Sequence, residues 1–400
     1  MPASVTVVYA NEEPPSAWHA SVFLAGPTPR SADVASWRPG VLELIRRHWA
    51  GPGPLVVFVP EPRDGTAWAD YDDQRRWELR WLAVADQVLF WVPRDLVTLP
   101  GLTTNDEWGW LKDSGRAVFG SPPDAAKVRY QREYAADAAV PLADGQEDAV
   151  HVVLDRVGAG APRTAGERDV PLNVWTTPAF RQWYSAQTKA GNTLVGARVV
   201  WTLRPGPEHP VVYWAVRVAV AIAAEDGRVK DNEVVIGRPD ISTVVLHRRP
   251  PGTPLRATEL VLVREFRAPG ASADGYVHEL PGGSSAADDA SDPAGVAVDE
   301  LREETGLAVD PARLRPYRAR QVAATVSAHR AHVFAAEATA EELERLRAAR
   351  GPYGAGGSER TYVEVVTYGE LLDDENADWA TIGMVAQVLA DAYVDAAVER

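Results

Sequence analysis

Short apolar runs ending in Gly or Pro recur through the first 160 residues: "SVFLAG" (21–26), "LVVFVP" (55–60), "QVLFWVP" (87–93) and "RAVFG" (116–120). Runs so short and continuous predict parallel strands buried on both faces. Segments 41–49, roughly 72–84 and 104–113 lie between them with amphipathic patterns and predict helices. The alternation predicts an α/β doubly wound parallel sheet, with any ligand site at the C-terminal ends of the strands.

"RVGAGAPRTAGERD" (156–169) reads by composition as a linker. Beyond it the pattern turns β-rich, with "GARVVWTLR", "VVYWAVRVAVAIAAE", "DNEVVIGRPD", "ISTVVLHRR" and "TELVLVREFRAP" broken by turn residues. A helix at 292–305, the strand "AHRAHVFAAEA", a polar helix near 340–350, the strand "TYVEVVTYGEL" and a last helix at about 381–397 complete an α+β second domain. The chain is thus expected to divide into residues 1–160, a linker with lead-in strands over 161–204, and residues 205–400. "RQWYSAQTKAGN" (181–192) reads equally as a pocket lining or a packed amphipathic helix.

Four hundred residues exceed one ordinary core, in keeping with two domains. A formal charge of −15 argues against a surface for duplex nucleic acid or anionic membrane, but leaves room for small phosphorylated ligands in a local basic pocket. There are no cysteines, which excludes disulfides and thiolate metal sites. The N-terminus carries Glu12, Glu13, Pro14 and Pro15 where a signal peptide needs apolar residues, and a cytoplasmic protein is expected. Nine of the 14 Trp precede residue 111, and packing accounts for most of them. The eight His residues are scattered, with no pair at metal-ligand spacing.

Chemistry concentrates in two places. In "HELPGGSSAADDASDPAGVAVDELREETGL" (278–307), Asp292-Pro293 predicts a capped helix start and Gly306 its end. Ala294, Ala297, Val298 and Leu301 form the docking stripe, leaving Glu300 and Glu304 one turn apart on the opposite flank with Glu303 beside them. Like charges so spaced repel unless a cation neutralises them, and an all-oxygen cluster suits Mg²⁺ or Mn²⁺. In the first domain, "TTNDEWGW" (103–110) places Glu107 in the first turn of a helix after a strand, where an acid also complements the helix dipole. "YDDQRRWELRWLAVADQVLFWVP" places Glu78 on the helix before the third strand.

"ELPGG" followed by "DELREETGL", with "LVREFRAP" upstream, resembles the Nudix box of the ADP-ribose pyrophosphatase branch over about residues 200–400. The resemblance implies a Nudix fold and hydrolysis of a nucleoside diphosphate derivative. Glu300 and Glu304 would be metal ligands, with Glu303 aiding them and the Gly282 carbonyl completing the shell. Arg267 would touch a phosphate or ribose, and Glu359 or Glu364 would be the base. Asp299 stands at the box Arg position and Ser291 at a box Glu position, so the supporting ion pair is lost as a pair. Relatives of this type pair through the β-rich segment before the box, and the apolar 170–250 stretch leads us to expect a homodimer.

"VFLAGPTPR", "DYDDQRRWE", "ADQVLFWVPR" and "TTNDEWGW" together resemble the nucleoside 2-deoxyribosyltransferase superfamily over about residues 18–140. By motif position, Glu107 would attack the anomeric carbon and Glu78, longer than the usual Asp, would hydrogen-bond the base. Gly26 and Pro27 would shape the sugar or phosphate pocket. The combined expectation is a bifunctional nucleotide-processing enzyme. The alternative is a ligand-sensing Nudix domain regulating an N-terminal N-glycosidase.

Overall fold

The computed structural model describes residues 4–31, 33–63, 70–206, 208–284, 292–354 and 359–395. It separates into two compact units, Met1–Gly237 and Arg238–Arg400.

The first unit is built on a six-stranded, all-parallel sheet. Its strands are β1 (Val5–Tyr9), β2 (Ala20–Ala25), β3 (Leu55–Val59), β4 (Gln87–Trp91), β5 (Ala117–Gly120) and β6 (Leu142–Ala143), in the order β1-β3-β2-β4-β5-β6. Strand alternation sorts their side chains onto two faces. Phe23, Phe58, Phe90 and Phe119 point to one, packing with Trp81 of α2 (Tyr71–Val84) and Trp108 of α3 (Leu102–Leu111). Phe58 stacks on Trp81 at 4.7 Å, and Trp108 meets Phe90 and Phe119 at 5.3 and 5.0 Å. Val22, Leu24, Val57 and Leu89 point to the other face, under α1 (Arg38–His48) and a helix beyond β6, Gln146–Val157. Helices on both faces keep the central strands buried and almost wholly apolar, with Ser21 and Gln87 the polar residues near their starts, which is why the strands show as short apolar runs.

The segment expected to be a linker is packed instead. Residues 163–164 pair with 17–18, and Arg163 is fully buried against an equally buried Asp86. Asp86 also accepts hydrogen bonds from Ser21 N (2.7 Å), Ser21 Oγ (2.9 Å) and Leu172 N (2.8 Å). A buried carboxylate needs such a set of donors, and the "linker" supplies its counter-ion. Residues 181–189 belong to a helix, Pro178–Lys189, that leads to a three-stranded antiparallel sheet, Thr193–Leu203, Tyr213–Ile222 and Arg228–Gly237. Its central strand buries Trp214, Val216 and Val218 in the first unit's core. These strands group with the first unit, whereas the sequence boundary had assigned residues from 205 onward to the second domain.

The second unit is a mixed, β-rich α+β region. Ile241–Arg248 runs parallel to Arg330–Glu337 and antiparallel to Glu259–Phe266, which is flanked by Tyr276–Glu279 and Tyr362–Thr367. The helix Pro293–Thr305 packs on one face through Ala297 and Leu301, and Trp379–Leu389 on the other through Val385, Val388 and Leu389. Asp292 caps the first helix through Gly295 N at 2.9 Å, and Gly306 closes it at φ +70°. Ser291 lies outside the described residues. Among the described residues, no helix is long and apolar enough to cross a membrane.

Candidate functional site

In the first unit the chain leaves β2 towards β3 on one side, and β4 continues to β5 on the other. That reversal of strand order opens a crevice at the carboxyl ends of β2 and β4. Gly26 stands there at φ +150°, and a Cβ on it would lie 2.2 Å from the Trp91 carbonyl oxygen. Only glycine lets the two strand ends approach so closely. Pro27 accepts the Trp37 indole N–H at 3.0 Å through its carbonyl and lies against Gly101, the residue before α3.

Arg38, at the start of α1, is almost wholly buried at 1% exposure. It donates to Leu24 O (3.1 Å), Gly26 O (2.8 Å) and Thr28 Oγ1 (3.3 Å), and pairs with Glu61 just past β3. The chain turn after β2 therefore grips a fixed cation.

Glu107 sits in the second turn of α3, because the helix begins at Leu102 rather than at the "NDE" segment. The first turn holds no acid, so the dipole-complementing role expected for Glu107 does not apply. Its carboxyl is half-buried and pushed up to about 8, first by burial, then by the charge of Glu78, with Arg38 opposing. Glu78, on α2, is also raised by burial, against the Gln74 hydrogen bond (Nε2 to Oε1, 2.9 Å) and Arg38. Two acids within electrostatic reach of each other and of one buried guanidinium can hold a proton and a negative charge at once near neutral pH. That division is what acid-assisted departure of a leaving group with carboxylate attack requires.

In the second unit the helix acids do not all share one flank. Glu304 continues the buried line Ala297–Leu301 and is 5% exposed, while Glu303 faces solvent. A spacing of i, i+4, i+7 puts residue 304 under the helix, not opposite its stripe. Glu304 Oε2 accepts from Gly282 N at 2.8 Å, and its carboxyl is pushed up to about 8, burial first. Glu300 lies against Gly283 and is pushed up to about 7 by burial, then by Glu303 and Glu359.

Arg267 is engaged by Glu279 (2.8 Å) and Glu265 (2.9 Å). Glu359 acts electrostatically on both Glu300 and Glu265, whereas Glu364 pairs with Arg264 (3.3 Å) and His278 (3.4 Å). Of the two candidate bases, Glu359 is thus the one near the acid group. The ligand atoms of Glu300, Glu303 and Glu304 do not converge within 4.8 Å of one another. Their oxygen-only chemistry fits a hard divalent cation.

Sequence reasoning missed Arg38, Glu61, Glu265 and Glu279. Glu61 follows a strand end directly, and Glu265 shares a strand face with Arg267 two residues on, so both carried a readable signal. Arg38 carried none.

Residues 19–125, which span Gly26, Arg38, Glu61, Glu78 and Glu107, match the family model described as "Nucleoside 2-deoxyribosyltransferase like". No curated protein matches the chain. The chain therefore carries a nucleoside 2-deoxyribosyltransferase-like domain over residues 19–125, which implies cleavage or transfer at an N-glycosidic bond.

Proposed function

We propose that the first unit cleaves or transfers the N-glycosidic bond of a nucleoside or nucleotide, with Glu107 as nucleophile at the anomeric carbon and Glu78 as the acid that meets the base. The carrying observation is the family match over residues 19–125, within which Glu107, Glu78 and the buried Arg38 lie within electrostatic reach of one another. Attack by a carboxylate forms a glycosyl–oxygen bond as the base departs with a proton, and water or a second base then takes the sugar. Positive charge developing on the sugar ring favours the ionised form of Glu107 at the moment it is needed. Arg38 fixes the turn holding Gly26 and tempers the repulsion between the two acids. Incubating the chain with nucleosides and nucleotides and measuring free base by chromatography tests this. No base from any of them would refute it.

For the second unit we propose Mg²⁺-dependent hydrolysis of a nucleoside diphosphate derivative such as ADP-ribose, on a Nudix fold. Glu300 and Glu304 would hold the cation, which would polarise the phosphates. Glu359 would take a proton from water, and Arg267 would meet a phosphate once released from its two carboxylates. The two activities together would process nucleotides sequentially, in the cytoplasm. The second reading, a ligand sensor that does not cleave, is favoured by two features: Arg267 is already engaged by acids, and the three helix carboxylates do not converge. Nucleoside monophosphate released from ADP-ribose with Mg²⁺, and not without it, would decide for hydrolysis.

A further inference from the structure

The sequence shows no His pair at ligand spacing, yet the fold brings His48 and His151 together with Glu147. His48 ends α1, while Glu147 and His151 are one turn apart on the helix Gln146–Val157. Their ligand atoms all lie within 4.8 Å of one another, the only such trio of His, Asp or Glu among the described residues. His48 Nε2 is 3.2 Å from Glu147 Oε1, and the two imidazole centroids are 4.4 Å apart with the rings tilted by 55°.

We propose that His48, Glu147 and His151 bind a transition-metal ion of the Zn²⁺ class and clip α1 to the helix packed beside it. Two ligands at about 2.1 Å from one ion, at a tetrahedral angle, stand about 3.4 Å apart. The His48–Glu147 separation matches that edge. A surface His–Glu ion pair needs only two of these three groups. Two nitrogens and one carboxylate oxygen form a borderline donor set, which selects Zn²⁺ or its Irving–Williams neighbours over Mg²⁺.

The scaffold is rigid. Val41, Leu42 and Ile45 of α1 share one buried core with Ala149, Val150 and Val153 of the partner helix, so the ligands need little rearrangement. Arg38 lies ten residues before His48, about 15 Å along the helix. The ion would therefore clamp the far end of the helix that carries the crevice cation, as a stabilising rather than a reacting group.

The test uses the full chain, stripped with a chelator and kept in excess Mg²⁺ so that oxygen-only sites are filled. Zn²⁺ is titrated calorimetrically, Co²⁺ absorption reports nitrogen ligation, and tryptophan fluorescence follows melting. Wild-type protein should bind one equivalent at this site and melt higher with Zn²⁺. His151→Ala and His48→Gln should each weaken that equivalent by about a hundredfold or more and abolish the melting shift, while melting like wild type in chelator. Should one variant fail to fold, the other carries the comparison. Equal affinity and stoichiometry in wild type and a folded variant would overturn the proposal, as would wild-type protein that binds no Zn²⁺.

Discussion

Replacing Glu107 by Gln separates electrostatics from folding in one experiment. The folded state holds this carboxyl at about 8 against an ordinary value of 4.5. Between those two pH values the unfolded chain releases the proton and the folded chain keeps it, so stability falls as pH rises through the interval and levels off above it. At about 1.4 kcal/mol per pH unit the ceiling is about 5 kcal/mol, and partial solvent access reduces it to about 1–3 kcal/mol. Gln fills the same volume without the charge. The variant should therefore melt with wild type near pH 5 and about 2–10 °C above it at pH 8.5. Tryptophan fluorescence reads the right unit, because 13 of the 14 Trp precede residue 238. The same preparation should lose base release by about three orders of magnitude or more, while wild-type activity per encounter rises with pH towards about 8 as the nucleophile ionises. A melting difference that is the same at both pH values would refute the electrostatic assignment. Retained base release would refute the nucleophile.

Removing the counter-ion in Arg163→Ala should strand the Asp86 charge and lower the first unit's stability by about 3–5 kcal/mol in urea unfolding followed by fluorescence. Glu304→Gln can still accept from Gly282 N, so it should fold normally yet lose any Mg²⁺-dependent release of nucleoside monophosphate from ADP-ribose by orders of magnitude, read by chromatography. Light scattering at micromolar concentration should give a dimer mass. The edge strands of the three-stranded sheet expose Val195, Val200, Trp201, Leu203, Val229 and Val234, and a monomer mass would end that expectation.

The central strands were legible because burial on both faces confines polar residues to their starts, at Ser21 and Gln87. Helix Pro293–Thr305 was legible from its cap and its closing glycine. What escaped was long-range or three-dimensional. Asp86 and Arg163 are 77 residues apart, and nothing local in a Gly- and Arg-containing stretch says that one arginine is the buried partner of a distant acid. Arg38 was invisible for the same reason, since its partners are carbonyls at a strand end, Thr28 and the carboxylate of Glu61, 23 residues away. Glu304 was misassigned to an exposed flank although its spacing from Ala297 and Leu301 already placed it beneath the helix. Charge outweighed periodicity in that reading, and periodicity was the better guide.

The Arg163–Asp86 contact also sets where the polypeptide can be divided. The family match ends at residue 125 and the composition invites a cut near 160, yet both positions precede the arginine that neutralises Asp86 and the Leu172 amide that completes its shell. A fragment ending at either point would keep every strand of the parallel sheet up to its terminus and still enclose an unpaired carboxylate beneath β2. Such a fragment should be recovered misfolded. The smallest autonomous piece of this unit is therefore expected to extend beyond Leu172, well past the end of the family match.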